Sequence, residues 1–292
     1  MSVYDIVTKT IVDSIAKGVI PWECPWSKEA HHNADTGRNY GGMNSLLLEA
    51  SCHHNFYGFC RWMTMKQAGK NGLRVAKGSK STLITFFTMV EGDKQDPRPV
   101  LRYYRVFNVQ DLTGDNAEDF IPVLEAVDKN GIYQKADEFV SALEENGLNL
   151  KEGVTACYSP SEDIVRLPPK GLFSAKGEGD EALENWFATL FHEIGHWTGA
   201  KNRLDRELSK GHFGNKAYAM EELVAELTAS YLCADLGLPY QTQHADYISS
   251  WVEVLSENNK AIFTASRLAQ DAVKWLYKSI SKTSEVGRAA NE

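Results

Sequence analysis

The sequence predicts an α+β fold arranged as two domains. The chain has 292 residues, more than one average domain, and its 43% hydrophobic and 24% charged residues are typical of a globular protein with a sizeable core. Two β-rich runs lie in the first half, whereas helical patterns dominate the second half. We therefore place a mixed α/β domain with an antiparallel hairpin at residues 1–125 and a second, α+β domain at residues 126–292.

Apolar periodicity and turn residues predict the elements of the first domain. Residues 1–17 have the spacing of an amphipathic helix, and Asn44 opens a second helix. The runs 81–90 and 100–110 are rich in β-branched and aromatic residues, and a polar stretch joins them into an antiparallel hairpin. Turn-forming and acidic residues at 111–127 predict the linker to the second domain.

Helical patterns and one strand are predicted in the second domain. The helices are expected at residues 132–143, 184–197, 218–227, 248–255 and 261–277. Residues 158–167 form the predicted strand, and Pro168-Pro169 end it before the next helix. We expect residues 163–167 to be an edge strand, which could pair with an extended peptide.

The most specific motif is His192-Glu193-Ile194-Gly195-His196, which has the form H-E-x-x-H. Positions i and i+4 of a helix lie on one face, so both imidazoles can bind one zinc ion while Glu193 faces the open coordination position. Zinc lowers the pKa of its bound water, and Glu193 can accept the proton. The motif therefore predicts a zinc-dependent hydrolase, with two histidines on an ordinary surface helix as the alternative.

A zinc site of this kind needs a third protein ligand, and the sequence offers several. Metzincins would have a histidine at the position of Asn202, which excludes that class. The helix predicted at 218–227 carries Glu222 and Glu226 four residues apart, and Glu222 is the predicted ligand, as in gluzincins. Glu226 would accept a hydrogen bond from a ligating histidine and fix its tautomer.

Other residues near the motif remain candidates for the same site. The weaker alternatives for the third ligand are Asp205, His212 and Glu221. Tyr218 or His212 could stabilise the oxyanion that forms during hydrolysis.

The charge distribution indicates an anionic partner for the first domain. The first 125 residues hold 14 basic and 14 acidic residues, so the net charge of −8 belongs to the remainder. Six basic residues and no acidic residue lie between Ala50 and Val90, with aromatic residues nearby. Lys/Arg beside exposed rings is typical of single-stranded DNA binding, although core aromatics and a solvated loop give the same composition. The predicted DNA-binding residues are Arg38, Asn39, Tyr40, Arg61, Trp62, Lys66, Lys77 and Lys80.

Several function classes lack support in the sequence. No Walker A loop occurs, and the five cysteines are scattered without a C-x-x-C pair, as expected of free thiols in a reducing cytosol. The pairs His31-His32 and His53-His54 could hold a metal, but surface loops are the favoured expectation. No run is long enough to span a membrane, and residues 1–20 lack the apolar core of a signal peptide.

Seven motifs occur together along the chain. They are Gly37-Arg38-Asn39-Tyr40, Trp62-Met63-Thr64, Val75-Ala76-Lys77-Gly78-Ser79-Lys80-Ser81, Val106-Phe107-Asn108-Val109-Gln110, His192-Glu193-Ile194-Gly195-His196-Trp197-Thr198-Gly199, Arg203-Leu204 and Tyr218-Ala219-Met220-Glu221-Glu222-Leu223-Val224-Ala225-Glu226. In this combination the chain resembles the ArdC family of plasmid-borne antirestriction proteins. The first four motifs are similar to a domain that this family shares with plasmid primases.

The resemblance implies an N-terminal single-stranded DNA-binding domain and a C-terminal zincin-like metallopeptidase domain. It implies that the protein protects incoming conjugative plasmid DNA from host restriction, in the bacterial cytoplasm or in the recipient cell to which it is delivered. The expected cofactor is Zn²⁺, with Mn²⁺ as the alternative. The expected partners are single-stranded DNA and an unknown protein substrate, with a restriction-system component as the candidate, and no membrane.

Two other functions remain open at this stage. The protein could coat single-stranded DNA without proteolysis and keep a structural or regulatory metal site. It could also be an accessory module of a primase.

Overall fold

The computed structural model describes residues 1–24, 29–91, 97–122, 127–176, 179–206, 216–242 and 247–289, with the side chains of 91, 174–176 and 282–289 left out. The predicted α+β class is confirmed. Contacts between Cα atoms divide the chain into one unit of residues 1–21 and 28–126 and a second of residues 22–27 and 127–292. In these described parts, no helix is long and apolar enough to cross a membrane.

The first unit combines three helices with short and long strands. Its elements are α1 (Val3–Ala16), β1 (His32–Asn33), α2 (Met43–Asn55), β2 (Arg61–Met63), α3 (Met65–Lys70), β3 (Arg74–Val75), β4 (Thr82–Glu91), β5 (Pro97–Asn108) and β6 (Leu112–Thr113). One sheet has the order β1-β2-β5-β4, and β3 pairs with β6. The predicted antiparallel hairpin is present as β4 and β5, with Thr82 opposite Val106.

Asn44, which the sequence predicted to begin the second helix, instead hydrogen-bonds to the backbone of β4. Helix α2 begins at Met43 after Gly42, and no side chain caps its N-terminus. The Asn44 amide instead pairs with the backbone of Thr85, accepting from its N–H at 2.7 Å and donating to its carbonyl at 2.8 Å. These bonds satisfy backbone groups of β4, which lies at the edge of the sheet, and they attach α2 to it.

His31, which was expected in a surface loop, is buried. The indole N–H of Trp62 points at its Nδ1 at 3.1 Å, so this nitrogen accepts and Nε2 carries the proton. Nε2 lies 2.8 Å from a carboxylate oxygen of Glu49, and Cys52 and Cys60 border the same cluster. Both ring nitrogens of His31 therefore have protein partners, and the cluster joins α2 to β2.

The predicted linker at residues 111–127 is partly a component of the first unit. β6 pairs with β3, with Leu112 opposite Val75. Leu112 is buried in an apolar cluster against which Phe120 and Ile121 pack. The sequence did not predict this strand because β6 has only two residues, too few for a periodic pattern.

The second unit is mainly helical. Its elements are α4 (Lys129–Glu145), β7 (Leu150–Glu152), β8 (Cys157–Ser159), β9 (Ile164–Leu167), α5 (Asp180–Thr198), α6 (Lys216–Leu236), α7 (Ile248–Glu257) and α8 (Ala261–Ala289). The segment at residues 22–24 joins this unit because the backbone groups of Cys24 and Tyr240 hydrogen-bond to each other, at 2.6 and 2.8 Å. Trp22 also packs edge-on against Trp251, with ring centroids 5.6 Å apart.

The small sheet of this unit corrects two predictions. The single strand predicted at residues 158–167 is two antiparallel strands, β8 and β9, with Asp163 at a φ of +54° just before β9. The sheet order is β7-β9-β8, so the expectation that residues 163–167 form the edge strand is wrong. Ile164, Val165 and Leu167 are buried, as in a central strand, and β7 and β8 are the edge strands.

Helices α5 and α6 approach each other closely where both lack large side chains. A Cβ added at Gly195 would lie 2.9 Å from Cα and 3.1 Å from the carbonyl oxygen of Ala225. Such distances are shorter than van der Waals contact, so only glycine permits this separation of the two helices. Their approach positions the residues that α5 and α6 carry on the facing sides.

We expect Gly195→Ala to destabilise the protein by about 1–2 kcal/mol. Alanine is favoured over glycine in a helix by roughly 0.5–1 kcal/mol, but overpacking typically costs about 1–3 kcal/mol. Gly69→Ala is the matched control because an added Cβ in α3 meets nothing within 4 Å. Thermal and urea unfolding measure both variants. An unchanged or raised Tm for Gly195→Ala would show that the helices are not held at this distance.

Candidate metal centre

Three side chains of α5 and α6 bring their donor atoms together. The Nε2 atoms of His192 and His196 are 3.1 Å apart, and the carboxylate oxygens of Glu222 lie 3.4 and 3.5 Å from them. In a tetrahedral zinc site with bonds of about 2.0–2.1 Å, two ligand atoms are separated by about 3.3–3.4 Å. The three donors therefore fit one divalent ion, and they are the predicted ligand set.

Charge also favours a cation at this position. Four glutamates of α5 and α6 are buried around the histidines, namely Glu193, Glu221, Glu222 and Glu226. Burial would raise the pKa of Glu222, but hydrogen bonds from both histidines lower it, so the side chain is a carboxylate. Burial would lower the pKa of His196, but hydrogen bonds with Glu221 and Glu222 raise it to about 10. A bound cation would replace the protons that balance these carboxylates.

Each histidine has a second carboxylate on its other ring nitrogen. Nδ1 of His192 lies 3.3 Å from Glu226, and Nδ1 of His196 lies 3.4 Å from Glu221. Glu226 is thus where the sequence predicted it. Glu221, which the sequence kept as an alternative ligand, contacts the opposite side of His196 from Glu222. Carboxylates in such positions fix the tautomer and orientation of ligating imidazoles.

Sequence reasoning missed Arg206, which holds Glu221 in place. The buried guanidinium donates to both Glu221 oxygens, at 2.6 and 3.1 Å. It also donates to the Gly195 carbonyl at 2.6 Å and to the Thr198 hydroxyl at 2.7 Å. A Cβ at Gly199 would lie 2.7 Å from the same guanidinium. Arg206 follows α5 in an irregular segment, so no periodic pattern could have identified it.

The motif carboxylate Glu193 is oriented by the edge strand β8. It accepts a hydrogen bond of 2.7 Å from the backbone N–H of Tyr158. The Tyr158 hydroxyl donates to Asp163 at 2.9 Å, and Arg203 donates to that hydroxyl and to Asp163, each at 3.0 Å. This network fixes β8 beside α5, and nothing in the spacing of these residues predicted it.

The remaining candidates for the site lie in different places. The Tyr218 hydroxyl is 3.4 Å from that of Tyr247, and burial together with hydrogen bonds to Tyr247 and Glu222 raises its pKa. Tyr218 precedes Glu222 by about one turn on α6, so it lies beside the proposed ligand. Asp205 is exposed and does not belong to the histidine–glutamate group. His212 lies outside the described residues.

Two protein families match separate parts of this chain. The family described as the N-terminal domain of anti-restriction factor ArdC matches residues 1–126, and a zincin-like metallopeptidase family matches residues 134–268. Crystal structures of the antirestriction protein ArdC from plasmid R388, one metal-free and one Mn(II)-bound, superpose with TM-scores of 0.78 and 0.77. The metal-free structure is 32% identical in sequence, and the match covers 97% of this chain and 99% of that one. The Mn(II)-bound structure is 33% identical, and the match covers 96% of this chain and 98% of that one.

The chain belongs to the ArdC family of antirestriction proteins. A further relative of similar length is an uncharacterized protein, y4eC, of Sinorhizobium fredii (strain NBRC 101917 / NGR234), which is 33% identical over 99% of this chain and 96% of its own length. The chain is also 32% identical to two DNA primases TraC of Escherichia coli, over 93% of its length. It spans only 26% and 19% of those primases.

The DNA-binding residues predicted for this ArdC-family chain differ in accessibility. Arg38, Asn39, Lys66, Lys77 and Lys80 are exposed, and Tyr40 is half-buried. Trp62 has no exposed surface, so its ring has no free face on which a base could stack. Arg61 donates three hydrogen bonds to the Glu29 carboxylate, which neutralises its charge, and one to the Phe120 carbonyl. We therefore leave Trp62 and Arg61 out of the proposed DNA surface.

We expect Glu226→Gln to weaken zinc binding by about tenfold to a hundredfold, because the His192 imidazole loses the charged partner of its Nδ1. Glu222→Gln should weaken binding more, since it removes a direct ligand. Glu144→Gln, on the exposed side of α4, is the control and should bind zinc as the wild type does. Isothermal titration calorimetry measures all three. Equal zinc affinity for Glu226→Gln and wild type would refute the role of Glu226.

Proposed function

We propose that this ArdC-family protein binds single-stranded DNA through its first unit and hydrolyses peptide bonds at a zinc centre in its second unit. In a conjugating bacterium, these activities would protect incoming plasmid DNA from host restriction in the recipient cytoplasm. The observation that carries the enzymatic half is the fit of His192, His196 and Glu222 to one tetrahedral ion, with Glu193 held beside it. The match to a zincin-like metallopeptidase family supports it.

The chain's own residues have defined tasks in this mechanism. His192, His196 and Glu222 hold the ion, which when bound polarises the peptide carbonyl and acidifies a water molecule. Glu193 accepts the proton of that water, and the N–H of Tyr158 keeps its carboxylate in position until the water arrives. Tyr218, beside Glu222, donates a hydrogen bond to the developing oxyanion.

Manganese is the alternative metal. The R388 relative has a Mn(II)-bound structure, and two imidazoles with a carboxylate suit both ions. Zinc is favoured because a His₂Glu set is a known catalytic zinc set. The protein substrate is proposed to be a component of the recipient's restriction system.

A second candidate function is a DNA-coating protein whose metal site is structural or regulatory. Burial of the site favours this alternative, because His192, Glu193 and Glu222 are all nearly inaccessible in the described residues. Comparing wild type and Glu193→Gln in a restriction-protection assay separates the two functions. Full protection by the variant favours coating, and lost protection favours proteolysis.

We expect Glu193→Gln to keep zinc affinity but to reduce peptide hydrolysis by about 10²–10⁴-fold, because the amide cannot accept the water proton. Glu181→Gln, in the exposed first turn of the same helix, is the matched control and should remain active. Cleavage of casein and of purified restriction subunits is followed by gel electrophoresis. Hydrolysis by Glu193→Gln at the wild-type rate would disprove the assignment of the general base.

We expect replacement of Lys66, Lys77 and Lys80 by Gln to weaken single-stranded DNA binding and to reduce its salt dependence. Each lost phosphate contact lowers the slope of log K against log salt by about 0.7, so three contacts account for about 2. The measurement is fluorescence anisotropy of a labelled oligothymidylate at several salt concentrations.

The control variant for this experiment replaces three ion-paired lysines of the second unit, Lys129, Lys170 and Lys216. It removes the same amount of charge and should keep the wild-type slope. If both triple variants behave alike, the effect comes from net charge, and the DNA surface lies elsewhere.

A further inference from the structure

The outer part of the β4–β5 hairpin exposes aromatic rings that a solitary domain would be expected to bury. The exposed fractions are 41% for Phe86, 60% for Phe87, 45% for Tyr103 and 38% for Tyr104. The same strands bury Ile84 and Val106 in the core nearer their other ends. Grouped exposed rings of this kind mark binding surfaces more often than isolated ones do.

The register divides these rings between two faces of the hairpin. Phe86 lies opposite Arg102, and Ile84 lies opposite Tyr104, so these side chains project from one face. The Phe86 and Tyr104 rings are in edge-to-face contact, with centroids 5.6 Å apart. Phe87 projects from the other face.

A third ring extends this face towards the Gly37–Tyr40 motif. The Asn33 amide donates to the Tyr40 hydroxyl at 3.0 Å, which fixes the ring. Tyr40 also packs against the buried cluster that contains Ile84 and Val106, which lie on this face of the hairpin. We call Tyr40, Phe86, Arg102 and Tyr104 the ring face.

The charges on the ring face itself indicate the chemistry of its partner. Strands β4 and β5 contain three arginines and one acidic residue, Glu91, which lies at the turn end of β4, and the sequence between the strands adds one lysine and two aspartates. Arg102 is exposed on the ring face itself, and Arg38 is exposed beside Tyr40. A second copy of this chain would bring like charges together across a two-fold interface, whereas a nucleic acid supplies both phosphates and bases.

We propose that the ring face stacks the bases of single-stranded DNA while Arg38 and Arg102 contact its phosphates. The inference rests on the proposed DNA-binding function and assigns its base-contacting surface. Unpaired bases present both faces to aromatic side chains, whereas bases in a duplex are stacked on each other. The exposed lysines at positions 66, 77 and 80 supply general attraction, and the ring face supplies the preference for single strands.

The test compares the double variant Phe86→Ser/Tyr104→Ser with Phe87→Ser. Phe87 is the matched control because it is a neighbouring, more exposed ring on the opposite face. The probes are a labelled oligothymidylate and an abasic oligonucleotide of equal length, which has phosphates but no bases. Stacking on one ring is worth at least about fivefold, so the double variant should lose tenfold or more for oligothymidylate. Its affinity for the abasic strand should not change.

Each other outcome has a defined meaning. Wild-type affinity of the double variant, or an equal loss in Phe87→Ser, overturns the ring face but leaves DNA binding intact. A wild-type dimer that this variant dissociates, measured by light scattering, would make the face a contact between copies. If the wild type does not bind oligothymidylate, the proposed function itself fails.

Arg102→Gln, a single substitution at an exposed residue, tests the proposal if the double variant does not fold. Arg102→Gln should lower the affinity for both probes and reduce the salt slope by about 0.7. Unchanged binding of both probes by Arg102→Gln would contradict the phosphate contact and, with it, the proposed orientation of the strand.

Discussion

The close packing of α5 against α6 is the constraint on which the metal centre depends. Gly195 is both a residue of the H-E-x-x-H motif and the point where α5 meets the backbone of α6. Because the helices touch there, Glu222 can reach His196, which follows Gly195 directly, and His192, which lies about one turn before it. A larger residue at Gly195 would separate the donor atoms, whose present spacing already matches a tetrahedral ion. In this motif the identity of an unreactive residue therefore matters as much as the identity of the ligands.

The same packing gives each surrounding carboxylate a different contact with the two histidines. Glu221 and Glu222 are adjacent on α6, about 100° apart around its axis, and Glu226 follows Glu222 by about one turn, so the three carboxylates take different positions around the histidines. Glu222 faces the Nε2 atoms, whereas Glu221 and Glu226 contact the Nδ1 atoms of different histidines. Arg206 is the one buried guanidinium within hydrogen-bonding distance of this group in the described residues. Buried carboxylates of this number are tolerated only where positive charge compensates them.

The sequence predicted the parts of this protein that leave periodic or chemical patterns. Long amphipathic helices, the two β-rich runs of the β4–β5 hairpin and the i, i+4 pairs His192/His196 and Glu222/Glu226 all follow from patterns within single elements. Arg203 and Arg206 lie in an irregular segment and Tyr158 in a strand of three residues, where spacing carries no information about distance in space. Strands of two or three residues were missed for the same reason. The position of Trp62 was misjudged because an aromatic residue beside basic ones has the same composition whether it is in the core or on the surface.

Both proposed sites lie where the chain departs from the rules that stabilise a fold. The metal centre buries four carboxylates, and the outer hairpin exposes four aromatic rings, although burying one such side chain is worth about 1.5–3 kcal/mol. Such local conflicts are expected at functional sites, where a ligand supplies the missing partner. The two conflicts call for opposite partners, a compact cation for the carboxylates and a flexible polyanion with flat bases for the rings and arginines. Each conflict lies within its own unit, so removing either partner should leave the other site intact.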